Sequence, residues 1–304
     1  MTEPSPHEPL SEATFATAYA AGREQVRAHR AALRARVAER WASPVDRMRL
    51  TQLERLLSPE RQILAYVPDG GGGVVEAIDD LATARRVAVA LPGMGARIAY
   101  ADRYLHRARR LRAAAGEDAA VVAWNAHDFP QHPAAARAAT NVSEVSDRLA
   151  GFLRELRPRL APGAEVTGLF LSYSCLVGAQ MMRTHRRLGL LDRAIFAGAT
   201  GLGPGVTRAA DLGDLPVYVG RAPGDPFPAM RTFGPDPSEL PGVRRFFVDP
   251  GVPVLVHFTG YFTAGSASLA NLGHIVAGRL DRVTPATTSR REERRMAFRV
   301  LRGA

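Results

Sequence analysis

Six short apolar runs decide most of what this chain can fold into. They read RVAVALPG (86–93), AAVVAWNA (119–126), EVTGLFLS (165–172), RAIFAGAT (193–200), LPVYVGRA (215–222) and VPVLVHF (252–258). They lack the regular apolar–polar alternation of a strand with one wet face, so they read as strands buried on both sides. Between them lie stretches of helical character: YADRYLHRARRLRAAAG (100–116), closed by the stop residue Gly116, a polar alanine-rich stretch over 134–158, and a segment over 174–187. SASLANLGHIVAGRL (266–280) reads as a closing helix. Buried strands alternating with helices predict an α/β fold, a mostly parallel sheet with helices on both faces. A length of 304 residues suits one large α/β domain or two small ones.

The rest of the chain frames this unit. Residues 1–10 are expected to be loose, and 11–60 form an N-terminal helical segment. In REQVRAHRAALRARVAERW, Val26, Leu33, Val37 and Trp41 recur at spacings of seven and four. They make one apolar stripe, which predicts a helix packed on the domain by that stripe. RQILAYVPDGGGGVVEAIDD (61–80) predicts a β-hairpin turning through PDGGGG. That glycine run lacks the G-K-[ST] ending and the following helix of a phosphate loop. The α/β unit is expected over 61–282, with an Arg-rich tail over 283–304 that is a solvated helix or a disordered end.

Charge and cysteine content narrow the partners. The formal charge is +10, and all 40 basic residues are Arg, because the sequence contains no Lys. A GC-rich coding sequence produces such a bias by itself. No aromatic-interleaved basic motif or nucleic-acid module occurs, so no nucleic-acid partner is expected. The single Cys175 excludes an internal disulfide and a cysteine metal cluster. It fits a reducing cytoplasm. MTEPSPHEPLSEATF has no basic region leading into an apolar core, so it is not read as a signal peptide. The apolar runs are too short to span a membrane. No two histidines stand at metal-ligand spacing, and neither a metal nor a cofactor is expected. Oligomeric state is not readable.

In open α/β sheets the functional loops gather at the C-terminal ends of the strands. Three such ends carry Ser172, then Asp225 in GRAPGDPF, then His257 in VLVHFTGYF. The order Ser…Asp…His is that of α/β-hydrolases. On this reading Ser172 Oγ attacks a carbonyl, His257 takes its proton, and Asp225 holds the histidine tautomer. LPGMGA (91–96) places a backbone N–H near Met94 beside that of Tyr173, an oxyanion hole. Plainer readings stand alongside. Gly93 and Gly95 can serve only a tight turn, Asp225 sits in turn chemistry, and His257 can be a core histidine. Candidates for the substrate pocket are Gly93, Met94, Tyr100, Trp124, Phe129, Tyr173, Phe227, Phe258 and Tyr261, with core packing as the alternative for each. His127 and Asp128 are placed in the pocket wall, His185 on the surface, and His274 in a structural or half-exposed position.

Taken together, RVAVALPGMGARIAYADRY, AAVVAWNAHDFP, VTGLFLSYSCLVG, RAPGDPFPAMRTFGPDPSELPGVRRFFVD and GYFTAGSASLANLGHIVAGR resemble successive blocks of a poorly characterised α/β-hydrolase-like family of high-GC bacteria. The resemblance spans about residues 60–280. It implies an α/β-hydrolase fold with Ser172, Asp225 and His257 in the triad positions. The elbow departs from the family's G-H-S-Y-G-S, reading Phe170, Leu171, Ser172, Tyr173, Ser174, Cys175. Small residues two before and two after the serine normally let strand and helix close up. Ser174 is small; Phe170 is not. Either its ring points away or the turn opens, and a displacement near 1 Å costs about a hundredfold in rate. A register shift would make Ser174 the nucleophile instead, and a chain with no nucleophile is a third possibility.

The resulting expectation is a cytoplasmic serine hydrolase-like enzyme acting on an ester, thioester or amide of a small apolar molecule. The alternatives are a non-hydrolytic enzyme of the same fold, performing a cyclisation or an acyl transfer, and a catalytically inactive binding protein.

Overall fold

The computed structural model describes residues 12–39, 43–126, 129–132, 141–286 and 292. Two helices lead in: α1 (Glu12–Glu39) and α2 (Pro44–Leu56). Ser43 caps α2 by accepting from the Asp46 N–H, and Pro44 occupies the first helical position, where no N–H is needed. Val26 and Leu33 are buried and Val37 packs against the core, as the stripe predicts; Trp41 lies outside the described residues, as do 1–11. At Gly22, α1 lies so close to the hairpin that a Cβ would sit 2.3 Å from the Ile63 carbonyl oxygen.

The sheet has eight strands in the order β1-β2-β4-β3-β5-β6-β7-β8. The antiparallel hairpin is β1 (Gln62–Val67) and β2 (Gly73–Ile78), and β2 also runs antiparallel to β4 (Ala119–Asn125). Then β3 (Arg86–Leu91), β5 (Glu165–Leu171), β6 (Arg193–Ala197), β7 (Val217–Gly220) and β8 (Arg244–Phe246) run parallel with β4 and with one another. Between strands come α3 (Ala101–Ala115), α4 (Val142–Leu156) and α5 (Ser174–Thr184). Two more helices follow β8: a single turn, α6 (Leu255–Thr259), and α7 (Ala267–Val276).

Crossovers between parallel strands are right-handed, so the direction of each step decides which face its helix covers. From β3 to β4 the chain steps one way; from β4 to β5 and on to β6 it steps the other. Accordingly α3 packs with α7 on one face, and α4 packs with α5 on the other. The direction reverses at β3, between its neighbours β4 and β5. That is the switch point of the sheet, where the loops leaving adjacent strands part and leave a crevice. The register pairs Leu91 with Phe170, so the chain leaves β3 and β5 side by side.

Two expectations need correction. VPVLVHF is not a strand: Val252, Val254 and Leu255 are 65%, 48% and 53% exposed, and the run turns into α6. Those three side chains sit on the surface while Val256 is buried, so the run is not a strand covered on both sides. The eighth strand is instead RRF at 244–246. The chain also stays packed beyond residue 282: Phe247 N–H donates to Thr284 O at 2.8 Å and Ala286 N–H to Arg245 O at 3.3 Å. Residues 287–291 and 293–304 lie outside the described residues, as does the start of the alanine-rich stretch, 133–140. No helix among the described residues is long and apolar enough to cross a membrane.

Candidate active site

The loop after β5 makes a tight turn at the switch point. Ser172 has φ 57°, a left-handed conformation that costs a non-glycine residue about 1–3 kcal/mol. Its surroundings hold it there. Ser172 N–H donates to Ala197 O at 2.9 Å, and the Ser172 carbonyl accepts from Cys175 N–H at 3.0 Å. Ser174 is wholly buried beneath the turn. Its Oγ accepts from Leu171 N–H at 2.8 Å and lies 3.0 Å from Leu171 O and 3.2 Å from Leu91 O, either of which can take its proton. Ser174 therefore ties β5 to β3 and does not face the crevice. The register in which Ser174 would be the nucleophile has no support in this geometry.

The opened turn is not observed either. The Phe170 ring points away from Ser172, into space left by two glycines. A Cβ on Gly168 or Gly178 would lie 2.8 Å or 2.5 Å from that ring. The ring stacks on Phe196, with centroids 5.4 Å apart. The glycine expected beside the serine has in effect been exchanged for one on each side of a buried phenylalanine. The sequence GLFLSYSCLVG contains both, at its two ends.

His257, on α6, and Asp225, in the turn after β7, complete a line of hydrogen bonds. His257 Nε2 lies 2.8 Å from Ser172 Oγ, and His257 Nδ1 lies 2.9 Å from Asp225 Oδ2. Asp225 is fully buried, so each of its oxygens needs a donor. Oδ1 accepts from Phe227 N–H at 3.0 Å, and Oδ2 accepts from Tyr261 Oη at 3.0 Å as well as facing His257. Tyr261 Oη itself accepts from Ala222 N–H at 3.1 Å. Burial, and then the charge of Asp225, push the Tyr261 hydroxyl well above its ordinary pKa, so it stays a donor. Gly198, after β6, makes room for this group: a Cβ there would fall 3.1 Å from Tyr261 Oη and 3.2 Å from His257. The Phe227 ring lies against the imidazole, centroids 4.2 Å apart.

Gly93 approaches the serine closely enough that a Cβ would stand 3.1 Å from Ser172 Cβ. This brings Met94 and Tyr173 to the same cavity, of about 470 Å³, which Ser172 and His257 also line. Among the described residues, no backbone hydrogen bond outside the regular elements engages the N–H of Met94 or Tyr173. A larger hollow of about 830 Å³ lies between α2 and the β1–β2 hairpin, but its arginines are paired, Arg61 and Arg109 with Glu76 and Arg55 with Asp102.

The family is settled by a profile described as Alpha/beta hydrolase, which matches residues 68–235, more than half of the chain. The chain belongs to this alpha/beta hydrolase family. The match includes Ser172 and Asp225 and ends before His257. No curated protein matches. Among solved structures, EstE1, a thermostable carboxylesterase cloned from a metagenomic library, is 19% identical with a TM-score of 0.44, covering 79% of this chain and 98% of that one. An esterase from the archaeon Pyrobaculum calidifontis is 16% identical with a TM-score of 0.41, covering 82% and 97%. A Rhizomucor miehei esterase structure is 14% identical with a TM-score of 0.41, covering 83% and 96%.

Within this alpha/beta hydrolase, the cavity wall includes Gly93, Met94, Tyr100, Tyr173, Phe227 and Phe258. It does not include three of the predicted pocket residues. Trp124 is buried, with its ring 6.4 Å from that of Phe152 on α4. Phe129 is buried edge-on against Tyr173, and Tyr261 stands behind Asp225. His127 and Asp128 lie outside the described residues. His185 pairs with Asp147 at 2.8 Å, and His274 lies 3.4 Å from Arg279 Nε, both away from the cavity. Sequence reasoning missed Arg97, Arg103, Arg107, Thr200 and Phe233 in the wall. Arg103 and Arg107, four apart on the helix leaving β3, carried a spacing signal; the loop residues Thr200 and Phe233 carried none. Among the described residues, no cluster of histidine, cysteine or carboxylate groups could hold a metal.

Proposed function

We propose that this chain is a serine hydrolase that cleaves an ester, thioester or amide of a small, largely apolar molecule, with Ser172 as nucleophile. The observation that carries the reading is the contact of a serine held at φ 57° with an imidazole whose other nitrogen faces a buried carboxylate. A serine hydroxyl is a weak nucleophile until an adjacent base removes its proton. His257 Nε2 takes that proton as Ser172 Oγ attacks the carbonyl, then returns it to the leaving group. Asp225 keeps Nδ1 protonated and stabilises the imidazolium. The N–H groups of Met94 and Tyr173 face the carbonyl oxygen as its charge develops. Water then repeats the sequence on the acyl-enzyme. The apolar wall receives the rest of the substrate.

A fluorophosphonate probe tests this directly. Labelling of the native chain at Ser172, lost in Ser172→Ala and strongly slowed in His257→Ala, is the expected result. A native chain that remains unlabelled, or one labelled elsewhere, would overturn it.

A further inference from the structure

We propose that the substrate of this site carries an anionic group, a carboxylate or a phosphate ester, bound at the cavity mouth by Arg97, Arg103 and Arg107. The inference rests on the hydrolase reading of the same cavity and adds the substrate class.

All three arginines line the cavity that holds Ser172. Arg103 and Arg107 are four apart on α3 and share one face of it. The guanidinium carbons of Arg97 and Arg103 each lie 4.7 Å from the centroid of the Tyr100 ring, also in the wall. Arg107 donates to the carbonyl of Phe258, the residue after His257, and lies 5.8 Å from the Phe262 ring. Rings and a carbonyl thus position the cations without neutralising them.

What is missing is a counter-ion. Among the described residues, no Asp or Glu lines this cavity, and none pairs with Arg97, Arg103 or Arg107. A chain with an excess of ten basic residues will leave arginines unpaired on its surface, so the contrast within α3 matters. Arg109 and Arg112, on the same helix, pair with Glu76 and Asp79. Arginines elsewhere also pair: the half-buried Arg157 with Asp192 at 2.9 Å, and the buried Arg221 with Asp236 at 2.7 Å. Arg110, on the same helix but outside the cavity, is held by the Phe262 carbonyl at 2.9 Å without an acid, and the three arginines converging on the cavity likewise lack an acid among the groups described around them. Burial, followed by the charge of Arg103, pulls the Arg107 pKa down to about 10, so it stays charged at neutral pH in an unfavourable setting. An arriving anion relieves that cost. The guanidinium fork matches two oxygens of a carboxylate or phosphate at once. Met94, Phe227, Phe233 and Phe258 leave an apolar surface for the remainder, so the fitting substrate is amphiphilic.

The test compares each anionic ester with its neutral isostere on the full chain. p-Nitrophenyl hemiglutarate against p-nitrophenyl pentanoate places the anion in the acyl half. 4-Acetoxybenzoate against its methyl ester places it in the leaving half, and 4-acetoxyphenyl phosphate replaces carboxylate by phosphate. At least one anionic ester should exceed its neutral partner in kcat/KM by roughly tenfold, the scale of one charge-assisted hydrogen bond. The ratio should shrink in 0.5 M salt, because exposed charges are screened, and in Arg103→Gln. Arg103 is the cleaner variant, since loss of Arg107 can shift the His257 segment. Ratios of one or below in every arm, or a preference that survives both salt and Arg103→Gln, would overturn the inference. Binding of the same pairs to Ser172→Ala, by calorimetry, separates the two readings. Anion preference in binding without turnover in the parent removes the hydrolase reading alone. Turnover of neutral and anionic esters alike removes the anion site alone.

Discussion

The Phe170 ring occupies the space that Gly178 leaves empty: a Cβ on Gly178 would lie 2.5 Å from Phe170 Cδ1. A bulky residue two before Ser172 is thereby compatible with the tight turn there. Its bulk goes down between β5 and α5 instead of up into the elbow. Gly178→Ala should therefore destabilise the protein by about 1–3 kcal/mol, the usual cost of overpacking a core. Phe170→Leu in the same chain should recover part of the loss, so a double-mutant cycle on chemical denaturation should be clearly non-additive. Additive effects would mean that ring and glycine do not share this space.

Restoring glycines to the elbow should fail for the same reason. Phe170→Gly removes a buried ring stacked on Phe196, a loss of roughly 3–5 kcal/mol or more. Ser174→Gly leaves the buried Leu171 N–H without its acceptor, about 1–3 kcal/mol further. The double variant should melt far below the parent and turn over p-nitrophenyl butyrate no faster. Faster turnover with an unchanged melt would show that Phe170 does restrain the turn.

The strands and helices around the switch point were legible because their apolar periodicity answers to burial, and Ser172 and Asp225 because each follows such a strand. VPVLVHF misled because composition reports apolarity and not its cause. Val252, Val254 and Leu255 are exposed, while the true edge strand, RRF, has two arginines in three residues. Trp124 misled because its place near a strand end says nothing about which face its ring takes. The partnership of Phe170 with Gly178 crosses from a strand to a helix, and no local pattern announces it.

Tyr261 gives the stability a pH dependence. Its pKa is raised on folding, by burial and then by Asp225, so the folded chain holds the proton more tightly than the unfolded chain. That contribution is complete below about pH 10, the ordinary tyrosine value, and is lost as the pH rises above it. Tyr104, raised chiefly by burial, adds to the same trend. Melting temperature should fall as pH climbs past about 10, less steeply in Tyr261→Phe. That variant should also lose about 1–3 kcal/mol at neutral pH, since Ala222 N–H and Asp225 each lose a partner. Parallel pH profiles for the two proteins would remove Tyr261 from the alkaline response.

Cys175 should be inert in the native state. It is wholly buried behind the elbow, its Sγ lies 3.2 Å from Phe170 O, and burial pushes its thiol well above the usual range. The thiolate is the reactive form. Iodoacetamide at pH 8 should leave the folded protein unmodified and label it fully in guanidinium chloride, as read by intact mass. Fast labelling without denaturant would mean that the elbow opens readily.

The decisive prediction concerns how losses combine. If Ser172, His257 and Asp225 act as one unit, removing the second member after the first costs little, because the first removal has already stopped the relay. Ser172→Ala and His257→Ala should each reduce ester turnover by about 10⁴–10⁶-fold, and the double variant by no more than the worse single change. Asp225→Asn should cost about 10⁴-fold, because an amide facing Nδ1 favours the wrong tautomer and leaves Nε2 unable to take the serine proton. Circular dichroism and melting curves must show each variant folded, since His257 and Asp225 are buried. Losses that multiply in the double variant would mean that serine and histidine contribute independently, and the 2.8 Å contact between them would then not be the route of the proton.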